Sequence, residues 1–399
     1  MKLYIITPIY ATTTSMQGAT PIVHYFAREW VKMGHQVKVF NFAPKYPRLF
    51  YWISRRFQHR LNSKLGMLVP LAPSTEGEYQ ADGVCVNCVC LKKVIPHSRY
   101  SNKQIKRAFN HICQCCEREG VPDFFIGHWD NPQLELLSLL KNKYYVKTAL
   151  VLHGNVFDFE KKYGENGLSM LKQLDAIGFR SMIGKANYVI KYGDPKKSFV
   201  ASSGVSEPFL KAGINNSRNY DRSVKHFIYI GSLISRKHPV TVLEALVRTY
   251  PSGNFKLTYI GDGAEKERII EVHKNNGNIG ELCFTGRIPR EKIIEHLIQS
   301  DIFVMVSQNE TFGLVYLEAM ALGVIPVGSK GEGIDGVIQN GENGFLCNSG
   351  DVDELARVLE IINNMPKEKI VEISNNAFST AQEYSDYKVA EKYLNSIIA

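Results

Sequence analysis

The residues best suited to chemistry lie in "SQNETFGLVYLEAMALGVIPVGSKGEG", residues 307–333. Glu310 and Glu318 stand eight positions apart around Gly313, in a stretch that otherwise has the composition of buried core. A carboxylate in such surroundings is costly unless a partner or ligand uses it. The apolar run "DIFVMVS" reads as a strand, "QNETFG" as a short loop, "LVYLEAMAL" as a helix closed by Gly323, and "VIPVGS" as the next strand. A loop between the carboxyl end of a parallel strand and a helix start is where open α/β sheets bind ligands. The loop residues Thr311, Phe312 and Gly313, with Leu314 at the helix start, offer amides to an anion, and a phosphate is the natural candidate. Gly313 lets the backbone approach that ligand. Glu318, about one and a half turns into the helix, is placed to receive ribose hydroxyls. Glu310, ahead of the helix, is placed for hydroxyls of a sugar carried beyond the phosphate.

Such a loop needs a sheet to hold it, and the sequence supplies two. The first half opens with the strand "KLYIITPIY", the polar loop "ATTTSMQGA" and a helix with Thr20 as N-cap and Pro21 at its first position; the strand "QVKVFNF" follows Gly34. Later strands are "DFFIGHW", "KTALVLHG" and "ANYVIKYG", two of which carry a histidine at the carboxyl end, His128 and His153. Residues 196–222, rich in Ser, Asn and Gly, read as a linker. Beyond it, "KHFIYIGSL", "FKLTYIGDG", "LCFTG", "DIFVMVS" and "VIPVGS" alternate with helical patterns. The expected fold class is therefore α/β, with two doubly wound domains. The expected boundaries are 1–205, 206–380 and a closing helix over 381–399 that crosses back to the first domain.

The 399 residues suit two domains, and no apolar run is long enough to span a bilayer. The start "MKLYIITPIYA" has one basic residue and no A-x-A cleavage site, so a cytoplasmic location is expected. Eight cysteines include Cys85, Cys88, Cys90, Cys113, Cys115 and Cys116; "VCVNCVCL" alternates like a strand and lacks a glycine knuckle, so packing thiols are expected rather than zinc ligands. Charge divides unevenly, with a net +14 over residues 1–205 and −5 over 206–399. The basic half points to an anionic partner. Residues 45–65, "KYPRLFYWISRRFQHRLNSKL", place Leu49, Trp52, Ile53, Phe57 and Leu61 on one side of a helix flanked by Arg55, Arg56 and Arg60. That surface suits an anionic headgroup layer, and equally a helix packed on its own domain. No basic-aromatic RNA motif or recognition-helix pattern occurs, so no nucleic-acid partner is expected.

The segment "ETFGLVYLEAMALGVIPVG" resembles the Glu, seven residues, Glu signature of the family-4-type retaining glycosyltransferases, also called glycosyl transferases group 1. That resemblance implies the GT-B fold, two Rossmann-like domains facing across a cleft, with the acceptor on the first and the nucleotide sugar on the second. "YIGSLISRKHPVTVLEA" looks like the family's stretch that carries an Arg and a Lys to the diphosphate. Lys237 occupies the Lys position, while Ser232 stands where Arg is common; Arg236 either takes over that charge or is a solvated surface residue. "CFTGRIPREKI" implies Gly286, Arg287 and Ile288 near the base. "SKGEGIDGVIQNGENGFL" matches the glycine-rich loop, with Lys330 and Glu332 in place of smaller residues. Of the usual glycine pair after the first strand only Gly18 is present, and it also reads as a plain loop glycine. His153 aligns with the histidine facing the transferred sugar, a structural role being its alternative; His128 has a weaker match.

The chemistry so implied is transfer of a sugar with retention, in which Lys237, Arg236 and the helix start stabilise the departing diphosphate by pre-oriented charge. The resemblance gives His153, Lys237 and Glu310 catalytic places, with the cations Lys237 and Arg236 standing in for a metal, so neither metal nor cofactor is expected. The expected donor is a UDP-sugar, with GDP-mannose as the alternative. The expected acceptor is a saccharide or lipid-linked saccharide of a bacterial surface polysaccharide, met at the inner face of the membrane. An epimerase on the same fold is the rival enzyme, and no convincing acid/base pair supports it.

Overall fold

The computed structural model describes residues 1–11, 21–65, 69–154, 156–214, 218, 220 and 225–399. They form two units, Met1–Ser202 with Tyr387–Ala399, and Ser203–Asp386.

The first unit holds β1 (Lys2–Thr7), β2 (Gln36–Lys45), β3 (Gly77–Ala81), β4 (Val84–Lys92), β5 (Phe124–His128), β6 (Lys147–Leu152), β7 (Ala176–Phe179) and β8 (Ser198–Val200). Their spatial order is β3-β4-β2-β1-β5-β6-β7-β8. Every pair is parallel except β3 with β4. The near-continuous apolar runs of β1 and β5 follow from this, because helices cover both faces of such a sheet. Three sequence readings shift. The run "ANYVIKYG", read as a strand, lies in the helix Met182–Tyr192, whose cap Ser181 accepts from the Gly184 amide. The stretch taken as a linker contains β8 and the helix Glu207–Ile214, because a three-residue edge strand is too short to show an alternation. Thr20, read as an N-cap, lies outside the described residues, and Pro21 stands at the cap position rather than inside the helix Ile22–Lys32. The β3–β4 hairpin escaped notice although Asp82 and Gly83, both at positive φ, are its turn signal.

The second unit holds β9 (Lys225–Ile230), β10 (Phe255–Ile260), β11 (Glu281–Gly286), β12 (Ile302–Val304), β13 (Ile325–Ser329) and β14 (Phe345–Cys347). All are parallel, in the order β11-β10-β9-β12-β13-β14. In each sheet the chain winds outward on one side, then returns to the other side of the strand where it began. The reversal falls between β1 and β5 in the first unit and between β9 and β12 in the second. Crevices outside the carboxyl ends of those strand pairs are the sites that this topology provides.

Candidate functional site

The reversal in the second unit is flanked by the loop after β9 and the loop after β12. After β9 the chain makes a short 3-10 turn, Ser235–Lys237, passes through His238 at φ 48°, and enters the helix Pro239–Thr249. After β12 it reaches Gly313, whose φ of 80° opens the helix Leu314–Met320. A side chain at 313 would be strained at that φ and would also meet the Tyr316 ring 2.5 Å away, so glycine is required there.

These loops bring Lys237 and Glu310 together. Lys237 Nζ lies 3.2 Å from Glu310 Oε2, with the side chains 16% and 15% exposed. Met305 Sδ is 3.9 Å from the same ammonium. Arg236 ties the two loops to each other: its carbonyl accepts from the Gln308 amide at 2.7 Å, and its guanidinium reaches the carbonyls of Gln308 and Asn309 at 3.4 and 3.5 Å. Arg236 is thus a brace of the loop and a neighbour of Lys237, more than a solvated surface charge. The Glu310 carboxylate adds to burial in pushing up the phenol pKa values of Tyr229 and Tyr316 beneath it.

Sequence reasoning missed the residue that shapes this loop. Glu332, noted in the sequence only as standing in place of a smaller residue, accepts hydrogen bonds from the amides of Asn309 at 2.9 Å and Glu310 at 2.7 Å, one through each carboxylate oxygen. The Gly333 amide donates to the Glu310 carbonyl at 2.9 Å, and a Cβ on Gly333 would come within 2.3 Å of the Thr311 carbonyl. Thr311 and the buried Phe312 are therefore held against the turn after β13. Lys330 pairs with Glu354 at the same turn.

Glu318 and Leu314 lie on the helix Leu314–Met320, and both are buried. The Glu318 carboxylate pairs with Arg290, whose guanidinium also lies 5.9 Å from the Phe209 ring centroid. Arg290 opens the helix Arg290–Ile298, separated from Gly286, Arg287 and Ile288 by the cap residue Pro289. Gly286 ends β11, and its carbonyl accepts from the Gly261 amide at 2.9 Å, while the Gly231 amide donates to Ile260 at 2.9 Å. The carboxyl ends of β9, β10 and β11 thus carry glycines within bonding reach of their neighbours. Among the described residues no cluster of three or more His, Cys, Asp or Glu side chains could hold a metal ion.

In the first unit, His128 ends β5 beside the reversal and His153 follows β6. His128 Nδ1 and His153 Nε2 are 3.0 Å apart, the Tyr393 hydroxyl lies 3.4 Å from His128 Nε2, and Trp129 stacks on His153 at 3.9 Å. Burial, with the Arg180 guanidinium nearby, lowers the His128 pKa to about 3; the same causes, with His128 itself, push His153 well down. Both rings are neutral near pH 7, so this pair can hydrogen-bond a ligand but is not a cation there. Trp129, at φ 65°, sits in a region that bulky residues seldom occupy. Gly18 lies outside the described residues.

Two doubly wound parallel sheets, one of them with a cation–carboxylate pair at its reversal point, define the GT-B class of α/β protein. Residues 214–380 match the model of the family Glycosyl transferases group 1. It is 36% identical over 134 residues to N-acetyl-alpha-D-glucosaminyl L-malate synthase of Bacillus anthracis, a match covering 34% of this chain and 35% of that protein. It is 32% identical over 133 residues to the lipopolysaccharide core biosynthesis glycosyltransferase LpsE of Rhizobium meliloti, covering 33% of this chain and 38% of that one. The chain thus spans little more than a third of the length of these two relatives. The fold extends further: the crystal structure of Anabaena Alr3699/HepE in complex with UDP and glucose superposes with a TM-score of 0.67 at 15% identity, covering 100% of this chain and 99% of that one.

Proposed function

We propose that the chain is a retaining, metal-independent glycosyltransferase that moves a sugar from a UDP-sugar to a saccharide or lipid-linked saccharide in bacterial surface polysaccharide biosynthesis. The observation that carries this reading is the Lys237–Glu310 pair, 3.2 Å apart at the reversal between β9 and β12. As the bond from the sugar C1 to the diphosphate breaks, negative charge grows on the leaving oxygens. Lys237, braced by the Arg236 contacts, would meet that charge in a site already oriented for it. Glu310 would exchange part of its contact with Lys237 for hydroxyls of the sugar. Neither glutamate serves as a covalent nucleophile in this scheme. The acceptor hydroxyl enters from the face that the diphosphate leaves and gives up its proton to that diphosphate, so no separate base is needed.

Glu318 would hold the ribose in exchange with Arg290, Gly286 to Ile288 would meet the base, and His153 would face the transferred sugar. The UDP preference draws on the ligand of the Anabaena structure, and the polysaccharide setting on the name of the Rhizobium relative. Residues 45–65 would rest on the inner face of the cell membrane; Leu49 and Trp52 are 65% and 61% exposed, whereas Tyr51 and Ser54 make the packed face of that helix. A thermal-shift panel of UDP-, GDP- and ADP-sugars tests the donor. Stabilisation by UDP-sugars is expected. Stabilisation by GDP-mannose alone would make the chain a mannosyltransferase, and none by any nucleotide sugar would overturn the reading.

A further inference from the structure

We propose that the first unit contains a phosphate-binding subsite, built on Lys93 and Lys162, that takes a phosphate group of the acceptor. It rests on the reading of the first unit as the acceptor half. Lys93 directly follows β4, at the carboxyl edge of the sheet, and Asp130 follows β5 at the reversal point. Lys162 reaches both oxygens of Asp130, at 3.0 and 2.9 Å, and the Tyr163 hydroxyl donates to the Asp130 carbonyl at 3.1 Å. Asp130 therefore engages one of the two ammonium groups. Lys93 is left with the Tyr100 ring, 4.8 Å away, and with no ion pair among the described residues.

Two polar groups beside this cluster are also unused. The Tyr100 hydroxyl and the Asn131 side-chain oxygen have no hydrogen-bond partner among the described residues, although each residue is only 6% exposed. Asn131 is fixed by its amide nitrogen, which donates to the Ser98 carbonyl at 2.9 Å. A half-buried ammonium over an aromatic ring, a second ammonium near it and a hydroxyl lacking an acceptor together suit a doubly charged oxyanion better than a neutral sugar. Burial and the nearby Lys162 lower the Lys93 pKa to about 8, against the opposing pull of Asp130. An arriving phosphate would reverse that balance, so binding should be accompanied by proton uptake above pH 8. Without its proton Lys93 attracts no anion, and affinity should fall as pH rises through 8.

The experiment uses the full chain in a Lys237→Met background, which removes the ammonium of the donor loops. Sulfate, whose charge is constant across the range, is titrated calorimetrically at pH 7 and pH 9. Binding at pH 7 that weakens up to about tenfold by pH 9 is expected. Lys93→Met should abolish it, and Lys93→Arg should keep it while removing the pH dependence. Equal sulfate affinity in the parent and Lys93→Met, with Lys93→Arg folded and unchanged in its pH response, would overturn the proposal. Two further arms identify the source of the phosphate. Binding to phosphatidic acid vesicles that is lost in Lys93→Met indicates a lipid phosphate, and competition by glucose 1-phosphate alone indicates a soluble one. Failure of the donor reading would show instead in the nucleotide-sugar panel, which does not depend on Lys93.

Discussion

Lys237 and Glu310 are half-neutralised by each other and still partly reachable, a state suited to exchanging partners when a ligand arrives. Replacing the lysine leaves Glu310 without its cation and the diphosphate without its own. Lys237→Met should therefore weaken nucleotide binding by ~1.5–3 kcal/mol, the usual value of a hydrogen bond to a charged group, about ten- to a hundredfold in Kd by calorimetry. Glu310→Gln keeps the shape of the side chain and should spare nucleotide binding while lowering kcat. Unchanged turnover in Glu310→Gln would refute its placement against the sugar. Glu310 stood out in the sequence as a carboxylate in a stretch of core composition, whereas Lys237 was named through the resemblance of "YIGSLISRKHPVTVLEA" to the family's stretch. The role of Glu332 was not legible, since its partners are the amides of residues 22 and 23 positions earlier and no periodicity links them.

The loops owe their shape to backbone contacts between elements. Glu332 satisfies the two consecutive amides of Asn309 and Glu310, where Asn309 takes φ 55°. Glu332→Ala should cost about 1–3 kcal/mol and reduce nucleotide affinity together with stability, whereas Glu310→Gln should affect turnover alone; denaturant midpoints and Kd on the same samples separate the two. In the first unit the end of β5 meets the helix Asp386–Ile398 through His128 and Tyr393. His128 has a folded pKa of about 3 against roughly 6.5 when unfolded. Between those values the unfolded chain binds a proton that the folded chain refuses. Stability should therefore rise with pH across that window and fall on acidification below about 6.5, at up to ~1.4 kcal/mol per pH unit from this residue. Urea denaturation at pH 7, 6 and 5 should show that slope, and His128→Asn should reduce it, with His153, also held well down by burial, supplying the remainder. The strands β1, β2, β5, β6 and β9 to β13 followed from apolar runs along the chain, whereas the run "ANYVIKYG" is helical. The short edge strands β8 and β14 did not, because three residues carry too little pattern.

At the scale of the whole chain the uneven charge remains to be explained. The first 205 residues carry +14, and the remainder −5. The helix Arg48–Leu65 adds an arrangement that charge alone does not require: Leu49, Trp52 and Phe57 are exposed at 65%, 61% and 41%, while the residues that pack are Tyr51 and Ser54. A helix folded onto its own domain by its apolar side would show the reverse. Arg56 lies 5.9 Å from the Phe57 ring and Arg55 donates to the Leu71 carbonyl at 2.9 Å, so cations flank the exposed apolar residues. Such a surface gains from apolar insertion and from anionic headgroups at once, with ~1 kcal/mol for each engaged basic residue. Wild-type protein should pellet with phosphatidylglycerol vesicles at low salt and less as salt rises. Trp52→Ser should weaken pelleting at every salt concentration, because insertion is not screened. Arg55, Arg56 and Arg60 changed together to Glu should remove the salt-sensitive part. Pelleting of both variants equal to wild type, or none by wild type, would mean that the exposed tryptophan serves another contact and that the acceptor reaches the first unit from solution.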